Sequence, residues 1–148
     1  MVAQTRRIFR CVLLTPRNKL LDCRMSSLIL PAHDGQVGIL RNHIPMLCKL
    51  GLGIMQAKNI VSGVAEGTTE VFFLIEGGFC RVSENFVTVL AYEATTFDGM
   101  KTEDIDKTIG HAERLLAGDS YARQSRSHDV KKASLLLRLA QMADLSKK

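Results

Sequence analysis

The segment EVFFLIEGGFCRVSENFVTVLA, residues 70–91, is the part of the chain that decides its fold class. An apolar run ends at Gly77-Gly78, and a second segment places Val87 and Val89 opposite Phe86 and Thr88. Glu84-Asn85 separates the segments and predicts a hairpin turn, because Asn readily adopts the backbone that such turns require. The pattern predicts consecutive β-strands, with the glycine pair as a tight strand connection. No G-x-x-x-x-G-K-[ST] motif follows, so the glycines are not expected to bind phosphate.

The residues before this segment repeat the same pattern. RIFRCVLL alternates Phe9, Cys11 and Leu13 with Ile8, Arg10 and Val12. Further short apolar segments recur at roughly 10-residue spacing, with Gly, Asn, Asp or Pro between them, which is typical of an antiparallel sandwich or barrel. We therefore expect residues 1–97 to form one antiparallel β domain.

The apolar period changes after Phe97-Asp98-Gly99. A first helix is predicted from Thr102 to Gly118, with a face formed by Ile105, Ile109, Ala112 and Leu116. A second helix is predicted from about Val130 to Leu145, with one stripe formed by Ala133, Leu136, Leu137, Ala140 and Ala143. Residues 98–148 are thus expected to form an antiparallel two-helix hairpin, which makes the fold class α+β.

Charge is concentrated at the end of the chain. The net charge is +5, and residues 120–148, with seven basic and two acidic side chains, carry an excess of the same size. A basic tail favours an acidic partner, which includes nucleic acid, an anionic lipid surface and an acidic protein patch. The chain has no Trp and two Tyr, so base stacking on single-stranded nucleic acid would depend on Phe.

The four cysteines, Cys11, Cys23, Cys48 and Cys80, are widely spaced and include no C-x-x-C pair. This spacing argues against a zinc site or a redox motif, and free thiols in a reducing compartment are expected. No apolar run reaches the ~20 residues that span a bilayer, and the N-terminus lacks the features of a signal peptide.

Three segments together resemble one family. They are LPAHDGQVGILRNHIPML (residues 30–47), EGGFCRVSENFVTVLA (76–91) and EDID (103–106), and they are similar to the epsilon subunit of F-type ATP synthases. The resemblance implies a ten-stranded β-sandwich followed by a helical hairpin. It also implies a non-catalytic subunit without a cofactor, placed on the central stalk beside the gamma subunit and against the c-subunit ring.

The resemblance implies two roles. The sandwich would help couple ring rotation to the catalytic head, and the hairpin could extend toward the catalytic beta and alpha subunits and inhibit ATP hydrolysis. The expected location is the cytoplasmic face of the bacterial inner membrane, bound peripherally through the complex. The driving ion, H⁺ or Na⁺, is a property of the c ring, and the sequence leaves open the resting position of the hairpin and whether it inhibits in this species.

Matched to the family pattern, Gln36, His43 and Ile44 would face the c ring. Gly35, Gly38 and Pro45 would shape the same loop through close backbone approach, unusual φ and a stiff exit. Gln36 stands where the family has an acidic residue, and Arg41-Asn42 replaces Pro-Gly. Asn tolerates left-handed backbone, so the turn is expected to survive. We expect the facing ring loops to be less basic, or more acidic, than usual.

The hairpin carries two further candidate sites. Basic residues suited to an acidic loop of the beta subunit are Arg123, Arg126, Lys131, Lys132 and Arg138, although a solvated helix face is the alternative explanation. Ile105 and Asp106 match the start of the Ile/Leu-Asp-x-x-Arg-Ala nucleotide motif of some relatives. Ile109 and Gly110 replace its Arg and Ala, which removes a cation suited to phosphates, so nucleotide binding is not expected.

Two other classes of function are weaker alternatives. One is a basic nucleic-acid-binding module, whose affinity would fall steeply with salt. The other is a small metal-dependent enzyme that uses His33 and His43, with Asp34 as a further ligand. The histidine spacing matches no common zinc motif, so no metal site is expected.

Overall fold

The computed structural model of the protein describes residues 7–64, 68–96 and 127–146, together with six residues between 103 and 114. The described part contains eight strands and one long helix. They are β1 (Phe9–Leu14), β2 (Lys19–Met25), β3 (Ser27–Ala32), β4 (Gly35–Leu40), β5 (Met46–Lys58), β6 (Glu70–Ser83), β7 (Phe86–Ala91), β8 (Ala94–Thr95) and α1 (Ser127–Ser146).

The strands pair in the order β2-β1-β7-β6-β5-β3-β4, and β8 pairs with β6. All pairs are antiparallel except β1 and β7, which run parallel with Cys11 opposite Val87 and Leu13 opposite Val89. The predicted antiparallel sheet is therefore confirmed with this one exception. The exception arises because the first strand is inserted between its sequence neighbour β2 and the much later β7.

The two longest strands bend instead of ending. Between β5 and β6 the ladder pairs Leu50 with Gly78 and then Leu52 with Glu76, and Gly77 and Gly78 have φ of 69° and 127°. Glycine adopts these angles without steric cost, so β6 continues to Ser83 and the predicted strand connection at Gly77-Gly78 is wrong. About ten strands were expected, and the described residues contain eight.

The core is formed by the inward-facing side chains of the strands. It follows the alternation of the sequence. Phe9, Cys11 and Leu13 are buried, as are Val87 and Val89. The hairpin turn between β6 and β7 is confirmed, with φ of 51° at Glu84 and 61° at Asn85. Two consecutive positive φ values match the right-handed twist of the flanking strands.

Helix α1 packs on the face of the sheet that Ile54, Phe72 and Leu74 present. Leu139 is fully buried there, although the sequence stripe did not include it. The helix positions that face the sheet follow helical spacing and are Lys132, Leu135, Leu136, Leu139, Ala140 and Met142. Of the predicted stripe, Leu136 and Ala140 belong to this cluster and Ala133 is buried, whereas Leu137 is half-buried outside the cluster.

Most of the predicted first helix lies outside the described residues. Six positions between 103 and 114 have helical backbone, and the antiparallel hairpin as a whole remains a prediction. No helix within the described residues is long and apolar enough to cross a membrane.

Candidate functional site

The turn between β4 and β5 holds the predicted ring-facing histidine. The backbone N–H of His43 donates to the carbonyl of Leu40 at 3.2 Å, which closes the turn around Asn42. Asn42 has φ of 62°, so the expectation that Asn preserves this turn in place of glycine is confirmed. Nδ1 of His43 lies 2.8 Å from the Ile44 carbonyl. A carbonyl only accepts, so Nδ1 is the donor in this contact.

A pair of asparagines joins this turn to the β6–β7 hairpin. The Asn42 backbone N–H donates to Oδ1 of Asn85 at 2.6 Å, and Nδ2 of Asn85 donates to Oδ1 of Asn42 at 3.1 Å. We call this pair the asparagine clamp. It connects residues 43 positions apart in sequence, so local sequence patterns did not reveal it. The clamp fixes the turn to a second loop of the sandwich.

Strand β4 forms an edge of the sheet and continues into the clamped turn. Gln36, Gly38 and Leu40 alternate on its exposed side, and Ile44 follows in the turn. Leu40 and Ile44 are 62% and 74% exposed, which is unusual for large apolar side chains that lie close together. These four residues and His43 are called the edge strip. Leu40 was not predicted, although it continues the alternation of Gln36 and Gly38.

The loop-shaping residues have different roles. Gly35 has φ of 145°, which only glycine adopts readily. Gly38 has no positive φ, and a Cβ there would meet nothing within 4 Å. The chain itself therefore does not require glycine at position 38. Pro45 is exposed at the end of the turn, directly before β5.

A second group of exposed apolar side chains lies on the outer face of β5, β6 and β7. Lys49 pairs with Phe79 and Phe79 with Leu90, so these side chains share one face. Leu47, Phe79 and Leu90 are 73%, 43% and 51% exposed. Phe86 lies on the same face with the Arg10 guanidinium 5.3 Å from its ring centre. Leu47, Phe79, Phe86 and Leu90 are called the outer patch, and sequence analysis did not identify them as a site.

The basic residues of α1 point to different sides of the helix. Lys132 faces the sheet, where its Nζ lies 2.7 Å from Oε1 of Glu76 on β6. Lys131 and Arg138 are exposed and line a cleft of about 360 Å³ that also contains Gln36 and Gln56. Arg123 and Arg126 lie outside the described residues.

The structure places some of the residues named in the nucleotide and metal predictions. Asp106 is exposed and helical, and Ile105 lies outside the described residues. His33 and His43 lie beyond opposite ends of β4, a six-residue strand that spans about 20 Å. Within the described part of the chain, no group of three or more His, Cys, Asp or Glu side chains is placed to hold a metal ion.

Comparison with known proteins identifies relatives that cover most of the chain. Residues 8–97 match the family model described as the ATP synthase delta/epsilon chain, beta-sandwich domain. The ATP synthase epsilon chain of Rhodopirellula baltica is 30% identical over 129 residues, which cover 87% of this chain and 95% of that protein. The ATP synthase epsilon chain of Pelotomaculum thermopropionicum is 34% identical over 116 residues, 78% of each chain.

Solved structures show the same fold. A chain in the cryo-EM structure of the Euglena gracilis mitochondrial ATP synthase (OSCP/F1/c-ring) aligns with a TM-score of 0.56 and 17% identity, covering 96% of this chain and 82% of that one. A chain in the central stalk/c-ring structure of the Tetrahymena thermophila mitochondrial ATP synthase aligns with a TM-score of 0.56 and 16% identity, covering 87% and 93%.

Proposed function

The chain belongs to the family of ATP synthase epsilon chains and is a non-catalytic component of that complex, and we propose that it works in the central stalk as a rotor subunit. In this proposal residues 1–97 dock on the gamma subunit and the c ring and transmit rotation. Residues 98–148 form a two-helix hairpin that regulates ATP hydrolysis. The observation that carries the proposal is the exposure of large apolar side chains at two places on the sandwich, the edge strip and the outer patch.

The edge strip is the proposed contact with the c ring. Its apolar members, Leu40 and Ile44, are among the most exposed apolar side chains of the described residues. The asparagine clamp holds the turn, so docking costs little conformational entropy. The open space around Gly38 would let a neighbouring backbone approach closely. Arg41 and the uncharged Gln36 favour ring loops that are less basic than is usual in the family.

The outer patch is the proposed contact with the gamma subunit. Its four apolar side chains lie on three neighbouring strands, with Lys49, Arg81 and Thr88 between them on the same face. Aromatic residues are frequent anchors of protein interfaces. Arg10 at the border of the patch is held by Asp22 through two hydrogen bonds of 2.9 and 2.8 Å. A charged residue at the rim of an apolar patch is typical of protein interfaces.

The helix is the proposed regulatory element. In the described conformation α1 is attached to the sheet by a small apolar cluster and the Lys132–Glu76 ion pair. Release would free Lys132 to join Lys131, Arg138, Arg123 and Arg126 in contacts with an acidic loop of the beta subunit. A partner that binds the released state better shifts the population toward it.

The first test is co-elution of the chain with the matching alpha–beta–gamma complex on size exclusion at moderate salt. A stoichiometric shift into the large peak is expected. Phe79→Asp should weaken this binding by roughly 30-fold or more, because a charge in an interface core loses its hydration. Val61→Asp, at a 37% exposed apolar residue outside the patch, is the matched control. Wild-type chain that stays in its own peak beside folded gamma would overturn the stalk assignment.

The ring contact and the regulatory role need separate readouts. Ile44→Asp should leave co-elution with alpha–beta–gamma unchanged and reduce ATP-driven ion pumping in the complete synthase. Removal of residues 98–148 should raise ATP hydrolysis while the sandwich still co-elutes. Unchanged hydrolysis after this truncation would exclude inhibition by the helices and leave the docking role in place.

A further inference from the structure

The four cysteines form two directly opposed cross-strand pairs. Cys11 lies opposite Cys23 between β1 and β2, and Cys48 lies opposite Cys80 between β5 and β6. All four are free thiols. Directly opposed residues of antiparallel strands have Cα atoms about 4.5 or 5.5 Å apart, and disulfides join Cα atoms about 4.4–6.8 Å apart. Backbone geometry therefore allows both pairs to be bridged.

Access from solvent separates the two pairs. Cys11 and Cys23 are 0% and 2% exposed, and Cys80 is 0% exposed. Cys48 is half-buried and follows the clamped turn by three residues. Cys48 is therefore the more exposed member of its pair, and Cys80 has no solvent exposure of its own. The Cys11–Cys23 pair is an internal control, because its cysteines are also directly opposed but both are buried from solvent.

The electrostatic surroundings favour Cys48 as the attacking thiol. Burial raises the pKa of Cys80 to about 12. Burial also raises the pKa of Cys48, and the charge of Asp34 adds to this rise, while hydrogen bonds from the side chain and backbone of Cys80 oppose it. The two side chains are neighbours because Cys48 lies directly opposite Cys80 in the β5–β6 ladder. Thiolate is the reactive form, so reaction at either sulfur should be slow at neutral pH and faster at higher pH.

We propose that Cys48 and Cys80 are a thiol modification site that closes to a cross-strand disulfide by exchange with a small-molecule disulfide such as oxidised glutathione. The Cys48 thiolate attacks one glutathione sulfur, which forms a mixed disulfide and releases one glutathione thiolate. Deprotonated Cys80 then attacks the Cys48 sulfur and displaces the second glutathione thiolate. The protein loses two electrons and two protons, and glutathione disulfide becomes two glutathione thiols.

The site lies directly beneath the outer patch. Leu47 precedes Cys48 on β5 and Phe79 precedes Cys80 on β6, and both neighbours point to the opposite face of the sheet. A bond between Cys48 and Cys80 would therefore fix the spacing of the two strands that carry the patch. This inference is independent of the proposed function, because it concerns only the chemistry of the isolated chain.

The test is treatment of the purified full-length chain with oxidised glutathione, followed by acid quench, denaturation, alkylation and mass spectrometry. The number of alkylated thiols should fall from four to two, with a peptide that links Cys48 to Cys80. The reaction should be roughly 30-fold faster at pH 8.5 than at pH 7.0, because the thiolate fraction rises tenfold per pH unit below the pKa.

Matched variants identify the pair. Cys11→Ser and Cys23→Ser should retain the Cys48–Cys80 bond, whereas Cys48→Ser should prevent it. Cys80→Ala should leave glutathione attached to Cys48, detected by mass spectrometry. Circular dichroism checks that this variant is folded. Four alkylated thiols after treatment, a stable Cys48–glutathione adduct in the wild type, or a Cys11–Cys23 bond formed in its place would each overturn the proposal.

Discussion

The sandwich core and the contact between helix α1 and the sheet differ in the number of buried side chains that form them. Among the described residues, twenty-one buried side chains form the sandwich cluster, whereas four, Ile54, Phe72, Leu74 and Leu139, form the helix cluster. One further tie, the Lys132–Glu76 ion pair, supports the helix. Burial of each large side chain contributes about 1.5–3 kcal/mol. The helix is therefore attached by a few kcal/mol, which suits a part that detaches, while the sandwich suits a part that transmits force.

The largest effect is expected within the sandwich, at the bend of β6. Gly78 has φ of 127°, and a Cβ there would overlap the Leu90 carbonyl. Gly78→Ala should lower the free energy of unfolding by about 3 kcal/mol or more, through backbone strain and displacement of β7. Urea unfolding followed by circular dichroism measures this. Gly38→Ala, where a Cβ meets nothing within 4 Å, is the control and should change stability little.

The contrast itself is tested by two equivalent substitutions. Leu13 in the sandwich and Leu139 in the helix are both fully buried, and Leu→Ala at such sites costs about 2–5 kcal/mol. Leu13→Ala should lower global stability, whereas Leu139→Ala should reduce hydrogen-exchange protection of α1 and leave unfolding of the sandwich unchanged. Equal losses of global stability in both variants would mean that the helix and sandwich unfold as one unit.

A smaller effect is expected from the ion pair that ties α1 to β6. Lys132→Met retains the apolar stem but removes the charge that faces Glu76, whose side chain is 13% exposed. The state with α1 packed on the sheet should lose about 1 kcal/mol of stability relative to the released state, measured by hydrogen exchange of α1. Lys131→Met alters an exposed neighbour and should have little effect. Similar effects from both changes would contradict a specific role for Lys132.

The smallest effect concerns the exposed Arg10–Asp22 pair of the sandwich. Hydrogen bonds from Arg10 lower the pKa of Asp22 from 3.8 to about 2, with Lys19 assisting and partial burial opposing. A depressed folded-state pKa stabilises the fold above the unfolded value and loses that effect as pH falls toward 2. The wild type should therefore lose more stability between pH 4 and pH 2 than Asp22→Asn, in thermal melts over that range. Parallel pH profiles would show that the pair contributes nothing measurable.

Local patterns predicted the features that depend on neighbouring residues. The alternation in RIFRCVLL and NFVTVLA identified the buried faces, and Glu84-Asn85 identified the hairpin turn. The bend at Gly77-Gly78 was misread because a glycine pair that ends a strand and one that bends it look alike in sequence. Leu139 was missed because SLLLRLA, residues 134–140, has leucines that point in several directions around the helix. The sequence alone therefore does not show which of them faces the sheet.

Features that depend on strand register could not be predicted. The asparagine clamp, the opposed cysteines and the outer patch all join residues from distant segments. A shift of one residue in the register of a strand would separate each of them. The predicted edge-strip residues came from family resemblance, and Leu40 was added only when the structure showed the exposed side of β4.

The parallel pairing of β1 with β7 has a consequence for synthesis of the chain. β1 begins at Phe9, but the strand that pairs with its second edge begins at Phe86. At roughly 5–20 residues per second, the ribosome needs several seconds to make the intervening segment. During that interval β1 and β2 have one edge without a partner, and unpaired apolar strands are prone to aggregate. The early hairpin is thus exposed to aggregation until Ala91 has been made.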